Sequence, residues 1–264
     1  MDQKLYVEAE MKLVAALEKD PNFLPALTKL AALFFRNLRY AESLELTRRA
    51  LAIDTHDGAA NYYYGLVNAT LGHLVDAKDG LDLAALSVDY RSAAYTALSK
   101  LYLRGKDYQK TLTYADKALA FNRYDLSAYE SKAIALRYLR QQQNAVSVLD
   151  TILTLDPLSH FARFENYLWE SSKQKRDSFT SLIRNEQPRE SYLELAISYF
   201  NTGCIEEAIE VLKLAPPMRW WCTGWLILIT SRVGRFSRNW KRPINHHRHS
   251  YFLFVPKLPL CCNG

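Results

Sequence analysis

The sequence predicts an all-α solenoid of tandem helix-turn-helix repeats. An interval of 34 residues recurs four times without insertion or deletion, and it is marked by Ala16, Ala50, Ala84, Ala118 and Ile152. A fixed period of this length is typical of stacked helical hairpins. Apolar side chains also recur at spacings of three and four residues on both sides of each predicted turn, as two amphipathic helices require.

The helical patterns follow one another in a regular order along the chain. Each repeat contains an apolar stripe, a short turn such as RNLRY, and a second apolar stripe. This arrangement occupies residues 27–51, 64–84, 95–119 and 129–152. Small residues such as Gly65 and Ala77 stand where the two helices of a repeat must approach closely.

The two ends of the repeat region depart from this order. Ala9, Leu13 and Ala16 match the second helix of a repeat, so we expect the chain to begin in mid-repeat. Pro21 and Pro157 lie just past the second helix of their repeats, where a residue that cannot continue a helix marks its end. After Pro157 the register loosens into a degenerate helix pair, and it recovers in ESYLELAISYFNTGCIEEAIEVLKLAP.

The spacing, with Ala near the turns and Asp-Pro at two repeat ends, resembles the tetratricopeptide repeat over residues 6–215. The resemblance implies a right-handed superhelix of about six helical hairpins. It also implies that the first helix of each repeat lines a concave face. Proteins of this architecture bind partners on that face and seldom carry out chemistry of their own.

The last part of the chain differs in composition from the rest. Residues 1–217 hold 28 Asp and Glu against 26 Lys and Arg, a net charge of −2, whereas residues 218–264 hold eight Lys and Arg and no acidic residue. The tail also holds four of the five Trp and three of the four Cys. We therefore expect a repeat domain over 1–217 and an atypical basic tail over 218–264 that is disordered or poorly packed.

Two explanations of the tail are possible: a basic module, or translation in a shifted reading frame that begins near Pro216–Pro217. We hypothesise the shifted frame. Read across codon boundaries, the tail allows a Tyr-Trp-Leu-Ala helix and a Phe-Val-Phe-Pro-Phe-Arg segment. With IDTHDGAANYYYGL and DPLSHFARFE, these strings resemble long bacterial proteins in which a β-rich domain of unknown function precedes a tetratricopeptide half. The resemblance implies that the chain is a fragment of such a protein and that the β-rich domain is a partner.

Motifs for catalysis are missing from the sequence. No glycine-rich phosphate loop, GxSxG, HExxH or CxxC appears. His56 and His160 each follow a repeat end beside acidic residues, and we interpret them as turn or capping residues rather than catalytic ones. The HHRH and CC groups of the tail lack the spacing of zinc ligands. We predict no catalytic residue, no metal site and no cofactor.

The expected function is that of a non-catalytic interaction scaffold, which holds a peptide or protein domain in its concave groove. Helical spacing places on this face a mixture of aromatic and charged side chains: Phe35, Arg36, Tyr62, Leu66, Lys100, Arg104, Glu130, Arg137 and Tyr138. Aromatic residues and Arg carry much of the energy of protein interfaces. An ordinary exposed helical face can carry the same residue types, so that interpretation stays open beside the first.

The alternative function is nucleic-acid binding through the basic tail, which would depend steeply on salt. The net charge of the repeats argues against it, and we expect no nucleic-acid partner. We also expect no membrane partner, because no apolar run reaches the roughly 18 residues that a spanning helix needs. The N-terminus lacks the apolar core of a secretory signal, which favours a cytoplasmic location.

Overall fold

The computed structural model of the protein describes residues 3–183 and 188–215. Within these two ranges the chain forms thirteen α-helices and no β-strand. Their bounds are α1 (Gln3–Lys19), α2 (Leu24–Arg36), α3 (Tyr40–Ile53), α4 (Gly58–Leu71), α5 (Leu74–Ala84), α6 (Arg91–Arg104), α7 (Tyr108–Phe121), α8 (Leu126–Tyr138), α9 (Gln142–Leu155), α10 (His160–Trp169), α11 (Lys173–Leu182), α12 (Pro188–Asn201) and α13 (Ile205–Leu214). The basic tail that we expect over 218–264 lies outside the described residues.

The helices pair as the sequence predicts. After α1, the helices from α2 onwards form consecutive hairpins in which α3, α5, α7 and α9 are the second helices. The 34-residue markers Ala50, Ala84, Ala118 and Ile152 lie on these four helices, and none is more than 1% exposed. The interval therefore marks the position at which each second helix is buried, and the prediction of tandem helical repeats is confirmed.

The described residues divide into two compact units, the first ending at Ser87 and the second beginning at Val88. The first unit contains α1 to α5, and Leu27, Ala31 and Phe34 of α2 form its core with residues of α3 and α4. The second unit contains α6 to α13. Its core includes the fully buried rings of Phe164 and Phe179.

The turn inside four of the hairpins repeats one backbone conformation. The residues with φ between 60° and 87° at this turn are 34 positions apart: Leu38, Gly72, Lys106 and Arg140. In the first of these turns the N–H of Arg39 donates to the carbonyl of Phe34 at 2.8 Å, and equivalent bonds close the others. Such bonds satisfy carbonyls at the end of a helix.

Polar side chains cap the N-termini of several helices. Asp125 accepts a hydrogen bond from the N–H of Ala128, and Ser159 accepts one from the N–H of Ala162. The two histidines lie where the sequence places them. His56 is in the turn before α4 and donates its N–H to Asp54, while His160 is the first residue of α10. These positions agree with the interpretation as turn residues.

Two glycines bring α4 and α5 together in the first unit. A Cβ on Gly65 would lie 2.7 Å from Cγ of Leu81, and a Cβ on Gly80 would lie 2.9 Å from the carbonyl oxygen of Asn61. Any larger side chain would therefore force the two helices apart. None of the helices in the described part of the chain is both long and apolar enough to cross a membrane.

Candidate functional site

The nine residues predicted for the concave face are divided between the two units. Phe35, Arg36, Tyr62 and Leu66 belong to the first unit, and the other five belong to the second. Each group is described within its own unit.

In the first unit, an aromatic group forms around Tyr63. The ring of Phe35 lies 6.1 Å from that of Tyr63, and the ring of Tyr62 lies 5.3 Å from it in an edge-to-face arrangement. Arg36 is exposed and Leu66 is partly buried. The structure thus brings Phe35 and Tyr62 to the same ring, that of Tyr63, which was not among the residues predicted for the concave face.

In the second unit, side chains of α6, α8 and α10 face one cavity of about 150 Å³. We call this side of the three helices the inner face, and its residues at the cavity are Lys100, Glu130, Ser131, Ile134 and Phe161. Lys100 and Glu130 were both predicted for the concave face. Burial raises the pKa of Glu130, and the nearby Lys100 acts in the opposite direction.

The opposite wall of the cavity is made by the chain's own last helix pair. We call α12 and α13 (188–214) the closing hairpin, and its cavity residues are Ser198, Tyr199, Asn201 and Thr202. The ring of Tyr199 stacks on that of Phe161 with 5.6 Å between the centroids. The closing hairpin therefore lies against the inner face and reaches helices of three preceding repeats, not only its neighbour in sequence.

A close backbone approach joins the closing hairpin to α6. Gly203, in the turn between α12 and α13, has a φ of 81°. A Cβ at this position would lie 3.3 Å from Cα of Arg104, which is another of the predicted residues. A larger residue here would combine the strain of a left-handed backbone with a tight contact to the backbone of α6.

An ion-pair network anchors the closing hairpin to α8 and α10. The guanidinium of Arg137 donates to Glu165 at 2.7 Å and to Glu207 of α13 at 2.6 Å. The hydroxyl of Tyr138 donates to Glu207 at 2.7 Å, and that of Tyr199 donates to Glu165 at 2.8 Å. Arg137 and Tyr138, both predicted for partner binding, are thus bound to a segment of their own chain.

The network is buried, and burial shapes its protonation. Burial raises the pKa of Glu165, while the Arg137 guanidinium and the Tyr199 hydroxyl oppose that shift. Burial by itself lowers the pKa of Arg137, but the two carboxylates outweigh it and the pKa rises. One guanidinium therefore stays charged between two carboxyl groups. Oε2 of Glu207 is buried and has no hydrogen-bond partner within the described residues.

Cys204 is the buried residue immediately before α13. Burial raises the pKa of the Cys204 thiol to about 12, so the thiol stays protonated and unreactive at neutral pH. Among residues 3–183 and 188–215, no cluster of three His, Cys, Asp or Glu side chains is arranged to hold a metal ion. What the site offers is a set of charged and aromatic contacts between helices.

Four residues that hold the closing hairpin on the inner face were not predicted as site residues: Glu165, Tyr199, Gly203 and Glu207. A signal for the two carboxylates was present. Glu165 follows Phe161 by four positions, and Glu207 precedes Val211 by four, so each carboxylate stands on an apolar stripe of its helix. A charged residue on a buried stripe needs a partner, and Arg137 supplies it for both.

No protein-family profile matches the sequence, and no curated protein matches it. Solved structures do resemble it. PilF of Pseudomonas aeruginosa is 22% identical over 73% of this chain and 91% of its own, with a TM-score of 0.60. A tetratricopeptide repeat protein from Parabacteroides merdae is 18% identical over 85% of this chain and 92% of its own, with a TM-score of 0.58.

A third similar structure is that of MamA, which is 21% identical over 58% of this chain and 89% of its own, with a TM-score of 0.52. At these identities the likeness shows the fold alone. The chain therefore has the all-α fold of tandem helical repeats that is seen in tetratricopeptide repeat proteins.

Proposed function

We propose that the chain is a non-catalytic interaction scaffold that binds protein or peptide ligands on the faces formed by the first helices of its repeats. One observation carries the proposal: the inner face of the second unit already holds a polypeptide segment, the closing hairpin. A surface that binds a helix of its own chain through charged and aromatic contacts has the chemistry to bind a helix of another protein.

The residues of the inner face are suited to this task. The planar guanidinium of Arg137 donates hydrogen bonds to two carboxylates, and Phe161 and Tyr138 offer rings for packing. Arg and Tyr are over-represented among the residues that dominate interface energies. The inner face thus combines anchors of high interface energy within one surface.

The first unit offers a second surface of related composition. Phe35, Tyr62 and Tyr63 form its aromatic group, and Arg36 stands exposed one position after Phe35. We propose that this group contacts the ligand together with Leu66. A cytoplasmic location and a β-rich partner domain are compatible with this function and stay predictions from the sequence.

Site-specific photo-cross-linking tests the proposed function. A benzophenone amino acid is introduced at Tyr62 or at Lys100, and the matched control carries it at Tyr124, an exposed ring in the turn before α8. We expect ultraviolet light to join a second protein to the chain at Tyr62 or Lys100 and not at Tyr124. Cross-links at all three positions alike, or at none of them, would contradict the proposal.

A further inference from the structure

The closing hairpin shows which chemistry the inner face recognises. On the inner face, Arg137 lies between two carboxylates and Phe161 carries a stacked ring. On the hairpin, Glu207 supplies one of those carboxylates and Tyr199 supplies the ring. The bound segment is therefore helical, aromatic at one position and acidic at another. Both ion-pair partners are largely withdrawn from water, with side-chain exposures of 14% for Arg137 and 6% for Glu207.

The hairpin satisfies this surface incompletely. Oε2 of Glu207 is buried without a hydrogen-bond partner in the described part of the chain, which costs free energy comparable to a lost hydrogen bond. A cavity of about 150 Å³ remains between the hairpin and the inner face. The single guanidinium also serves two carboxyl groups. A ligand that fills the cavity and pairs its carboxylate fully would bind the same surface more tightly.

Resting on the proposed scaffold function, we propose that the inner face of α6, α8 and α10 is a docking surface for an acidic, aromatic helical segment of a partner protein. The closing hairpin occupies this surface in the free chain and competes with the partner. The partner sets a carboxylate on Arg137 and an aromatic ring on Phe161, as Glu207 and Tyr199 do. Binding is therefore limited by the fraction of molecules in which the hairpin has left the surface.

A peptide added in trans tests this proposal on the full chain. The probe is a fluorescent synthetic peptide of residues 188–215, which carries the hairpin's own contacts. The chain variant Gly203→Ala loosens the hairpin without altering the inner face, because its Cβ strains the turn and meets the backbone of Arg104. The matched control is Gly72→Ala, whose φ of 87° imposes the same strain while its Cβ has open space around it.

We expect Gly203→Ala to bind the peptide about tenfold more tightly than the unchanged chain in fluorescence anisotropy. Gly72→Ala should bind it as weakly as the unchanged chain does. A peptide with Glu207→Gln should bind the Gly203→Ala chain about fivefold more weakly than the original peptide, because the charge-assisted bond to Arg137 is lost. Circular dichroism confirms that the variant chains are folded. If Gly203→Ala unfolds, the chain variant Glu207→Gln replaces it, with the same expected gain.

Three results would overturn the proposal. The first is an equal affinity of the Gly203→Ala chain and the unchanged chain for the peptide. The second is an equal affinity of the original and the Glu207→Gln peptides for the Gly203→Ala chain. The third is dimerisation of the Gly203→Ala chain in light scattering, which would make a second copy the occupant. The cross-linking at Tyr62 tests the scaffold function separately, since a ligand held by the first unit would still be captured there.

Discussion

At the scale of single residues, the turns show what the spacing of apolar residues leaves undecided. The residue in the left-handed conformation is a glycine in two hairpins, Gly72 and Gly203. In three others it is Leu38, Lys106 or Arg140. A Cβ makes this conformation unfavourable by about 1 kcal/mol or more. The hairpin turns are therefore held by the packing of the helices and not by the preference of their own residues.

Replacement of Arg140 by Gly should stabilise the protein by about 0.5 kcal/mol. Gly adopts a φ of 60° without strain, and this gain exceeds the loss of backbone entropy by a small margin. Chemical denaturation of the variant measures the change. The control Gln143→Gly, on an exposed position within α9, should destabilise by about 0.5–1 kcal/mol. A destabilised Arg140→Gly variant would show that the turn has no backbone strain.

His160 should make the stability sensitive to mild acid. Burial lowers its pKa below the ordinary value of 6.5, and its Nδ1 is buried without a hydrogen-bond partner in the described residues. Because the unfolded chain takes up the proton first, stability is full above about pH 6.5 and falls as the pH drops towards the folded pKa.

The variant His160→Gln should therefore lose less stability than the unchanged chain when the pH falls from about 7 to about 5. Thermal unfolding followed across this range measures the difference. The same substitution at His56, exposed in the turn before α4, is the control and should keep the original loss. If the His160→Gln variant kept the same pH dependence of stability as the unchanged chain, folding would not lower the pKa of His160.

At the scale of helices, most of the architecture was predictable from the sequence. Ala50, Ala84, Ala118 and Ile152 are buried at the same position of four second helices. The helix ends that were predicted just before Pro21 and Pro157 agree with the ends of α1 and α9. These features depend on contacts between neighbouring helices. Because every repeat makes the same contacts with its neighbours, a regular interval in the sequence predicts them. Gly65 likewise predicted the close approach of α4 and α5.

Replacement of Gly80 by Ala should destabilise the first unit by about 1–3 kcal/mol. The added Cβ would lie 2.9 Å from the Asn61 carbonyl oxygen and 3.0 Å from the Gly65 nitrogen, and backbone atoms cannot rotate away. Urea unfolding measures the cost. Gly105→Ala is the control, since its Cβ would meet nothing nearer than 3.4 Å and its φ is −76°. Equal stability of the two variants would contradict the close packing of α4 on α5.

At the scale of the whole molecule, the place of the closing hairpin could not be predicted. The segment was expected as one further repeat, and it does form a helical hairpin. Its contact between Arg137 and Glu207, however, joins residues 70 positions apart. A repeat interval describes only neighbours in the stack, so it carries no information about a hairpin that returns to earlier repeats. For the same reason Arg137 was assigned to a partner surface without its own chain being considered as an occupant.

A double-mutant cycle between Arg137 and Glu207 tests whether the closing hairpin lies on the inner face. Arg137→Ala should cost about 3–5 kcal/mol in urea unfolding, because two buried carboxyl groups lose their partner. The control pair is Lys132 and Asp116, which lie 2.6 Å apart on a more exposed surface and should couple by less than about 1 kcal/mol.

For Arg137→Ala and Glu207→Ala we expect a coupling energy of about 1–3 kcal/mol, since each substitution removes the same contact. Costs that add within about 0.5 kcal/mol would contradict it, because the two side chains would then not meet in the folded chain.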